Sequence, residues 1–170
     1  MIRVEIGDIT KFQGDAIVNA ANKYLMGGGG VDGAIHHAAG IELNRACRQL
    51  NGCLVGEAKI TPGFNLPAKY IIHTVGPMYH GRPIDAEMLG NCYKSSLDLA
   101  AKYPIQSIAF PSISTGVYRY PIFEAAEVAT YTVTTWLSNH PESNFDVTFM
   151  CFNQANFQAY KYWVDHVQLI

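Results

Sequence analysis

The chain lacks an apolar run long enough to cross a bilayer, and it has no internal repeat, no linker and no low-complexity tract. Its N-terminus, MIRVEIGDITKF, lacks the basic-then-apolar pattern of an export signal and reads straight into a strand. The four cysteines, Cys47, Cys53, Cys92 and Cys151, form no CxxC pair. In a chain without an export signal they read as reduced core thiols rather than disulfides. Charge is scarce: 15% of residues are charged, and twelve basic against fourteen acidic side chains leave a formal charge of -2. Nonspecific nucleic-acid binding needs a basic footprint to replace phosphate counterions, so this balance counts against it. The expectation is a soluble, cytoplasmic protein with no membrane partner.

What the chain does have is core. Hydrophobic residues make up 49% of its 170 positions, enough to bury one domain over residues 1–170 without help. Apolar runs alternate with helical patterns. Strands are expected at Ile2–Ile6, Ala16–Asn19, Ala58–Pro62, Tyr70–Val75, Ser107–Phe110 and Asp146–Phe152. Several of these are almost continuously apolar, as strands covered on both faces should be. Helical stretches fall at about 32–49, 86–102, 122–138 and 153–167. Met88, Cys92, Ser95, Ser96 and Leu99 approximate one buried face of the second, and Pro121 suits the first turn of the third. Strands alternating with helices imply a layered α/β domain with a largely parallel sheet, whose ligands bind beyond the carboxyl ends of the strands.

Two loops occupy that position. The first runs from Val18-Asn19-Ala20-Ala21-Asn22 to Gly27-Gly28-Gly29-Gly30-Val31-Asp32-Gly33. Four consecutive glycines lose much backbone entropy and bury nothing, which makes sense where a backbone approaches a ligand closely. A helix follows, so its unpaired N–H groups offer an anion site. The alternative is a flexible connector. The second loop, Pro111-Ser112-Ile113-Ser114-Thr115-Gly116-Val117-Tyr118, repeats the design of strand, small residues and helix start. Two such loops could grip a diphosphate from both sides. Hydrogen bonds to charged groups contribute roughly 1.5–3 kcal/mol each. Three or four, net of ordering costs, reach the roughly -8 kcal/mol of micromolar binding without a lysine.

The segments DAIVNAANKYLMGGGGVDGAIHHAAG, YIIHTVGP and SIAFPSISTGVYRYP together resemble the macrodomain family, in particular its MacroD-type branch. The resemblance spans essentially the whole chain. It implies a three-layer α/β/α domain around a mixed, roughly six-stranded sheet, with ADP-ribose in a cleft across the top. On that pattern Asp8 would accept a hydrogen bond from the adenine amino group beside the Ile9 backbone, unless it only caps a turn. Phe152 would stack on the adenine near Asn153, unless it is plain core. Gly28, Gly29, Gly30 and Val31 would form one half of the phosphate cradle. Ser112, Ser114, Thr115, Gly116 and Val117 would form the other, with Tyr118 against the distal ribose. Asn19 would contact that ribose or simply order the turn.

The resemblance places catalysis on Asn22 and Asp32. Asn22 would hold a ribose hydroxyl. Asp32 would position or deprotonate the attacking water, or fix the ribose; capping the helix is the alternative reading. The implied activity is hydrolysis of ester-linked ADP-ribose, on mono-ADP-ribosylated Asp or Glu of proteins and on O-acetyl-ADP-ribose, with no cofactor and no metal. The rival is a reader that binds ADP-ribose without turning it over; retention of both Asn22 and Asp32 favours the enzyme. An RNA-facing regulator is a third possibility, against which the charge of -2 counts. Two positions depart from the family pattern: Arg119, where glycine is common, and His37, in a helix position often basic. No GxSxG elbow is present. His73 reads as a satisfied core histidine, and adjacent His36 and His37 would point to different sides of a helix, a poor metal geometry.

Overall fold

Short β-branched and aromatic runs form the centre of the molecule, and amphipathic helices cover both of its faces. The computed structural model describes residues 1–167. In chain order it runs β1 (Ile2–Ile6), β2 (Ala16–Ala20), α1 (Gly30–Ala39), α2 (Ile41–Gln49), β3 (Ala58–Pro62), β4 (Tyr70–Thr74), α3 (Pro83–Ala100), β5 (Ser107–Phe110), α4 (Ile122–Asn139), β6 (Asp146–Cys151) and α5 (Gln154–Val167). The six strands form one sheet in the order β1-β6-β5-β2-β4-β3. All neighbours are parallel except β3 and β4, which makes the sheet mixed with an antiparallel edge.

Strand alternation sorts the core into two compartments. Ala16, Val18, Ile72, Ile108, Phe110, Val147 and Phe149 pack with Leu89, Ala129, Trp136 and Tyr160 of α3, α4 and α5. Ile17, Ile71 and Ala109 point the other way, toward Ile35, Leu43 and Cys47 of α1 and α2. The α/β/α layering therefore follows from period-two patterning of strands buried on both faces. The four thiols are free and buried. Among the described residues no helix is long and apolar enough to cross a membrane.

The helices depart from the sequence expectation more than the strands do. The stretch 32–49 is two helices, because Gly40 takes φ 93° and Asn65 occupies the space where a Cβ would lie. A sequence pattern tolerates a lone glycine; the backbone here uses it to turn. The helix expected from residue 86 starts at Pro83, where the Asp85 carboxylate accepts the N–H groups of His80 and Arg82. Its buried face centres on Leu89, Cys92, Tyr93, Ser96, Leu97 and Ala100, one step round from the expected set. Pro121 stands at the cap of α4, its carbonyl accepting the Ala125 N–H.

Candidate functional site

The chain leaves adjacent strands β2 and β5 at the same end of the sheet, then diverges: α1 covers one face and α4 the other. A crevice opens between such loops at a topological switch point. The ends of β1, β4 and β6 reach the same rim, bringing Asp8, Gly76 and Phe152 to it.

In the glycine loop, Asn22 builds the entry. Its Oδ1 accepts the N–H groups of Tyr24 (3.1 Å) and Met26 (3.2 Å), and its Nδ2 donates to the Met26 carbonyl. Leu25 is turned inward at φ 58°, while Tyr24 and Met26 stay exposed. The Gly28 N–H donates to Asp32 Oδ2 at 2.8 Å. Gly33 has no room for a side chain, since a Cβ would overlap the Gly28 carbonyl oxygen. By contrast, a Cβ on Gly29 or Gly30 would meet nothing within 4 Å, so this stretch of backbone borders open space. The helix begins at Gly30 with Gly29 as its cap, so Asp32 lies inside the first turn and is not the N-cap.

The loop after β5 is sorted by polarity. The carbonyls of Ser114, Gly116 and Tyr118 accept the N–H groups of Tyr120 (2.9 Å), Arg119 (3.0 Å) and Tyr79 (2.9 Å). Among the described residues none of the N–H groups from Ser114 to Tyr118 has an acceptor, whereas the Ile113 N–H is turned toward the buried Tyr93 hydroxyl. A loop that ties back alternate carbonyls and leaves successive N–H groups free is an anion receptor made of main chain. Ser114 holds the loop in a left-handed conformation at φ 67°, buried against Gly76, where a Cβ would overlap its hydroxyl. Strain of this kind costs on the order of 1–3 kcal/mol and persists where the surroundings enforce it. From below, the buried Tyr160 hydroxyl donates to Ser112 Oγ at 3.2 Å, and Ser112 Oγ lies 2.7 Å from Thr115 Oγ1. Burial pushes the Tyr160 phenol to about 12, so it stays a donor.

At the far end, Asp8 caps the 3-10 turn Ile9–Lys11 by accepting the N–H and hydroxyl of Thr10 with one oxygen, Oδ1, leaving Oδ2 free. Ile9 is buried beneath it. Phe152 lies just past β6 and is 76% exposed, so it is not core; Val117 is 90% exposed on the opposite loop. Asn153 Oδ1 accepts the Asn156 N–H at 2.9 Å, capping α5.

Beneath the glycine loop lies a buried polar network. Asn19 Nδ2 donates to Asp32 Oδ1 (2.9 Å) and reaches His73 Nδ1 (3.1 Å), and His73 Nε2 meets Thr61 Oγ1 (3.0 Å). His36 Nε2 lies 3.3 Å from Asp32 Oδ1, and its Nδ1 faces Asn44 Oδ1. Asn19 is fully buried, so it supports Asp32 from below. Burial pushes the Asp32 pKa up, but His36, Asn19 and the Gly28 N–H outweigh it and hold the carboxyl below its ordinary range. The same contact, helped by Asn44 and opposed by burial, raises His36. Burial, with the nearby His36 charge, drives His73 down to about 4. Two histidines flanking one carboxylate are thus pushed apart, one toward the cation and one toward the neutral ring.

His36 is the member that sequence reasoning weighed only as a metal ligand. Its i, i+4 spacing from Asp32 was the available signal, because that spacing stacks two side chains on one helix face. Thr61 and Asn44 carry no such signal. Among the described residues no group of three or more His, Cys, Asp or Glu side chains is placed to hold a metal ion.

Residues 18–129 match the Macro domain family model. The chain belongs to the Macro domain family. A Macro domain-containing protein of Mesorhizobium japonicum is 57% identical over 162 residues, 94% of this chain and 90% of that one. Human ADP-ribose glycohydrolase MACROD2 is 52% identical over 157 residues, covering 91% of this macrodomain but 37% of the human protein. The solved Trypanosoma brucei macrodomain in complex with ADP-ribose superposes with a TM-score of 0.91 at 44% identity, over 96% of this chain and 68% of that one.

Proposed function

We propose that this macrodomain binds ADP-ribose and hydrolyses its ester linkage to acceptor carboxylates, on mono-ADP-ribosylated Asp or Glu of proteins and on O-acetyl-ADP-ribose. One observation carries the reading: the loop after β5 presents the N–H groups of Ser114 to Tyr118 without partners among the described residues, opposite the open glycine backbone at Gly29 and Gly30. That pair of receptors suits a diphosphate between two sugars. The 52% identity to a protein named ADP-ribose glycohydrolase supports the choice of ligand and reaction.

On this reading Gly28 to Val31 and Ser112 to Val117 cradle the diphosphate, Asp8 and Phe152 take the adenine, and Tyr118 borders the distal ribose. Asn22 keeps one amide hydrogen beyond its bond to Met26 and holds a ribose hydroxyl with it. Asp32 keeps lone-pair capacity on Oδ2 beyond the Gly28 N–H. A carboxylate held below its ordinary range is a weak base, since an efficient one is matched to the working pH. Asp32 therefore acts by orienting the ribose or the attacking water, and the loop N–H groups stabilise the negative charge that develops. The protein works in the cytoplasm without a cofactor.

The test is release of ADP-ribose from a mono-ADP-ribosylated glutamate substrate, with calorimetric ADP-ribose binding beside it. Turnover that collapses in Asn22→Ala while binding persists is the expected result. Tight binding without turnover on this substrate or on O-acetyl-ADP-ribose would make the protein a reader. Absence of binding would overturn the reading altogether.

A further inference from the structure

We propose that His73 is a positioning residue for the Asp32 carboxylate, acting through Asn19. The inference rests on the role given to Asp32 above. Asn19 and His73 are register partners on β2 and β4, so their side chains leave the sheet together on the face that α1 covers. Thr61 reaches the same ring from β3. A single line of hydrogen bonds thus crosses three strands and ends on α1: Thr61 to His73 (3.0 Å), His73 to Asn19 (3.1 Å) and Asn19 to Asp32 (2.9 Å). All four residues are buried.

The chemistry gives each atom one role. An amide nitrogen only donates, so His73 Nδ1 accepts from Asn19. The ring proton is then on Nε2 and donates to Thr61 Oγ1. Asp32 fixes the sense of the Asn19 amide, because a flipped amide would set its oxygen against the carboxylate. His73 fixes its direction, because the second amide hydrogen has this acceptor alone among the described residues. The neutral state of the ring, held by burial, keeps Nδ1 an acceptor. A wholly apolar core would fill this space without leaving Asn19 Oδ1 unpartnered, as it is here. A network kept despite that orphan points to the group at its end.

The test uses the whole chain and two substitutions. His73→Gln keeps an acceptor and a donor separated by one carbon, as the two ring nitrogens are; His73→Leu keeps only bulk. The Asp32 carboxyl is followed by carbon-detected NMR titration, alongside kcat and ADP-ribose affinity. We expect His73→Leu to raise the Asp32 titration and lower kcat about 10–100-fold, the scale of a displaced catalytic group, with affinity within threefold. His73→Gln restores both. Thr61→Val, which removes only the far acceptor, shifts both in the same direction by less and serves if His73→Leu does not fold. An unchanged Asp32 titration in His73→Leu, or equal losses in Leu and Gln, would overturn the proposal. A wild type that fails to turn over substrate would sink the hydrolase reading, while the carboxyl titration would still decide the role of His73.

Discussion

The Gly28 N–H and the Asp32 carboxylate are joined by a hydrogen bond of 2.8 Å, so the side chain proposed for catalysis also closes the glycine loop onto α1. Asp32→Ala leaves the Gly28 N–H and the Asn19 amide without their acceptor and the buried His36 without its counter-charge. Removing one partner of a buried pair costs about 3 kcal/mol. For a domain of this size that is a fall in Tm of roughly 6–12 °C. ADP-ribose affinity should fall with it, because the loop loses its clasp. Calorimetry that finds both Tm and affinity unchanged would show that the loop stands without the carboxylate.

The Asp32–His36 pair also sets a pH dependence. Asp32 is lowered in the folded state, so its contribution to stability is present above the ordinary carboxylate pKa and fades as pH falls through the depressed value. His36 is raised, so its contribution is full below 6.5 and is lost as pH rises through its folded value. Denaturant unfolding should therefore show stability declining above pH 6.5, in a range below the ordinary thiol pKa of 9.0 from which the buried cysteines start. In His36→Gln that decline should vanish. The same slope in both proteins would refute the assignment.

Arg119 is exposed and held at φ 64°, a left-handed conformation that disfavours any residue with a Cβ. The departure from the family's common glycine is thus a strained one. Arg119→Gly relieves about 1–2 kcal/mol of backbone strain and adds about 0.5–1 kcal/mol of chain entropy to the unfolded state. A net gain of roughly 2–4 °C in Tm is expected on that balance. A lower Tm would mean that the arginine side chain contributes more than its backbone costs.

Gly33 and Gly116 separate packing from ligand approach. Gly33→Ala drives a Cβ into the Gly28 carbonyl, so the loop must shift and stability should fall by about 1–3 kcal/mol. A Cβ on Gly116 meets no protein atom within 4 Å, so Gly116→Ala should leave the thermal transition where it is. Its ADP-ribose affinity should nonetheless drop, since the added methyl stands where the diphosphate would lie. Equal affinity in Gly116→Ala and wild type would place the ligand elsewhere.

Much of this was legible in the sequence. The runs Ile2–Ile6, Ala58–Pro62 and Ser107–Phe110 coincide with β1, β3 and β5 to the residue: β5 is almost wholly buried and apolar, while the edge strands β1 and β3 intersperse polar side chains among apolar ones. The two loops announced themselves through glycine and small hydroxyl residues after strands. What stayed hidden depended on contacts between distant segments. Gly40 reads as a tolerated helical glycine until Asn65 is found beside it. Asn19, at the end of its expected strand, read as a ribose contact or a residue that orders the turn, yet the register with His73 puts it in the core. Asp8 and Asn153 each carry a cap as well as a candidate ligand role, and composition cannot divide the two.

The unpartnered N–H groups of Ser114 to Tyr118 carry one more consequence. Receptors built from lysine and arginine weaken as ionic strength rises, because mobile ions compete for the same full charges. Peptide dipoles, which carry only partial charges, offer those ions little to compete for. On a molecule whose formal charge is -2, retention of a nucleotide diphosphate should therefore vary little from dilute buffer to concentrated salt. Discrimination would then come from the spacing of the amides rather than from attraction at a distance. Abundant polyanions, including nucleic acids, would be ignored without any repulsive patch having to be built against them.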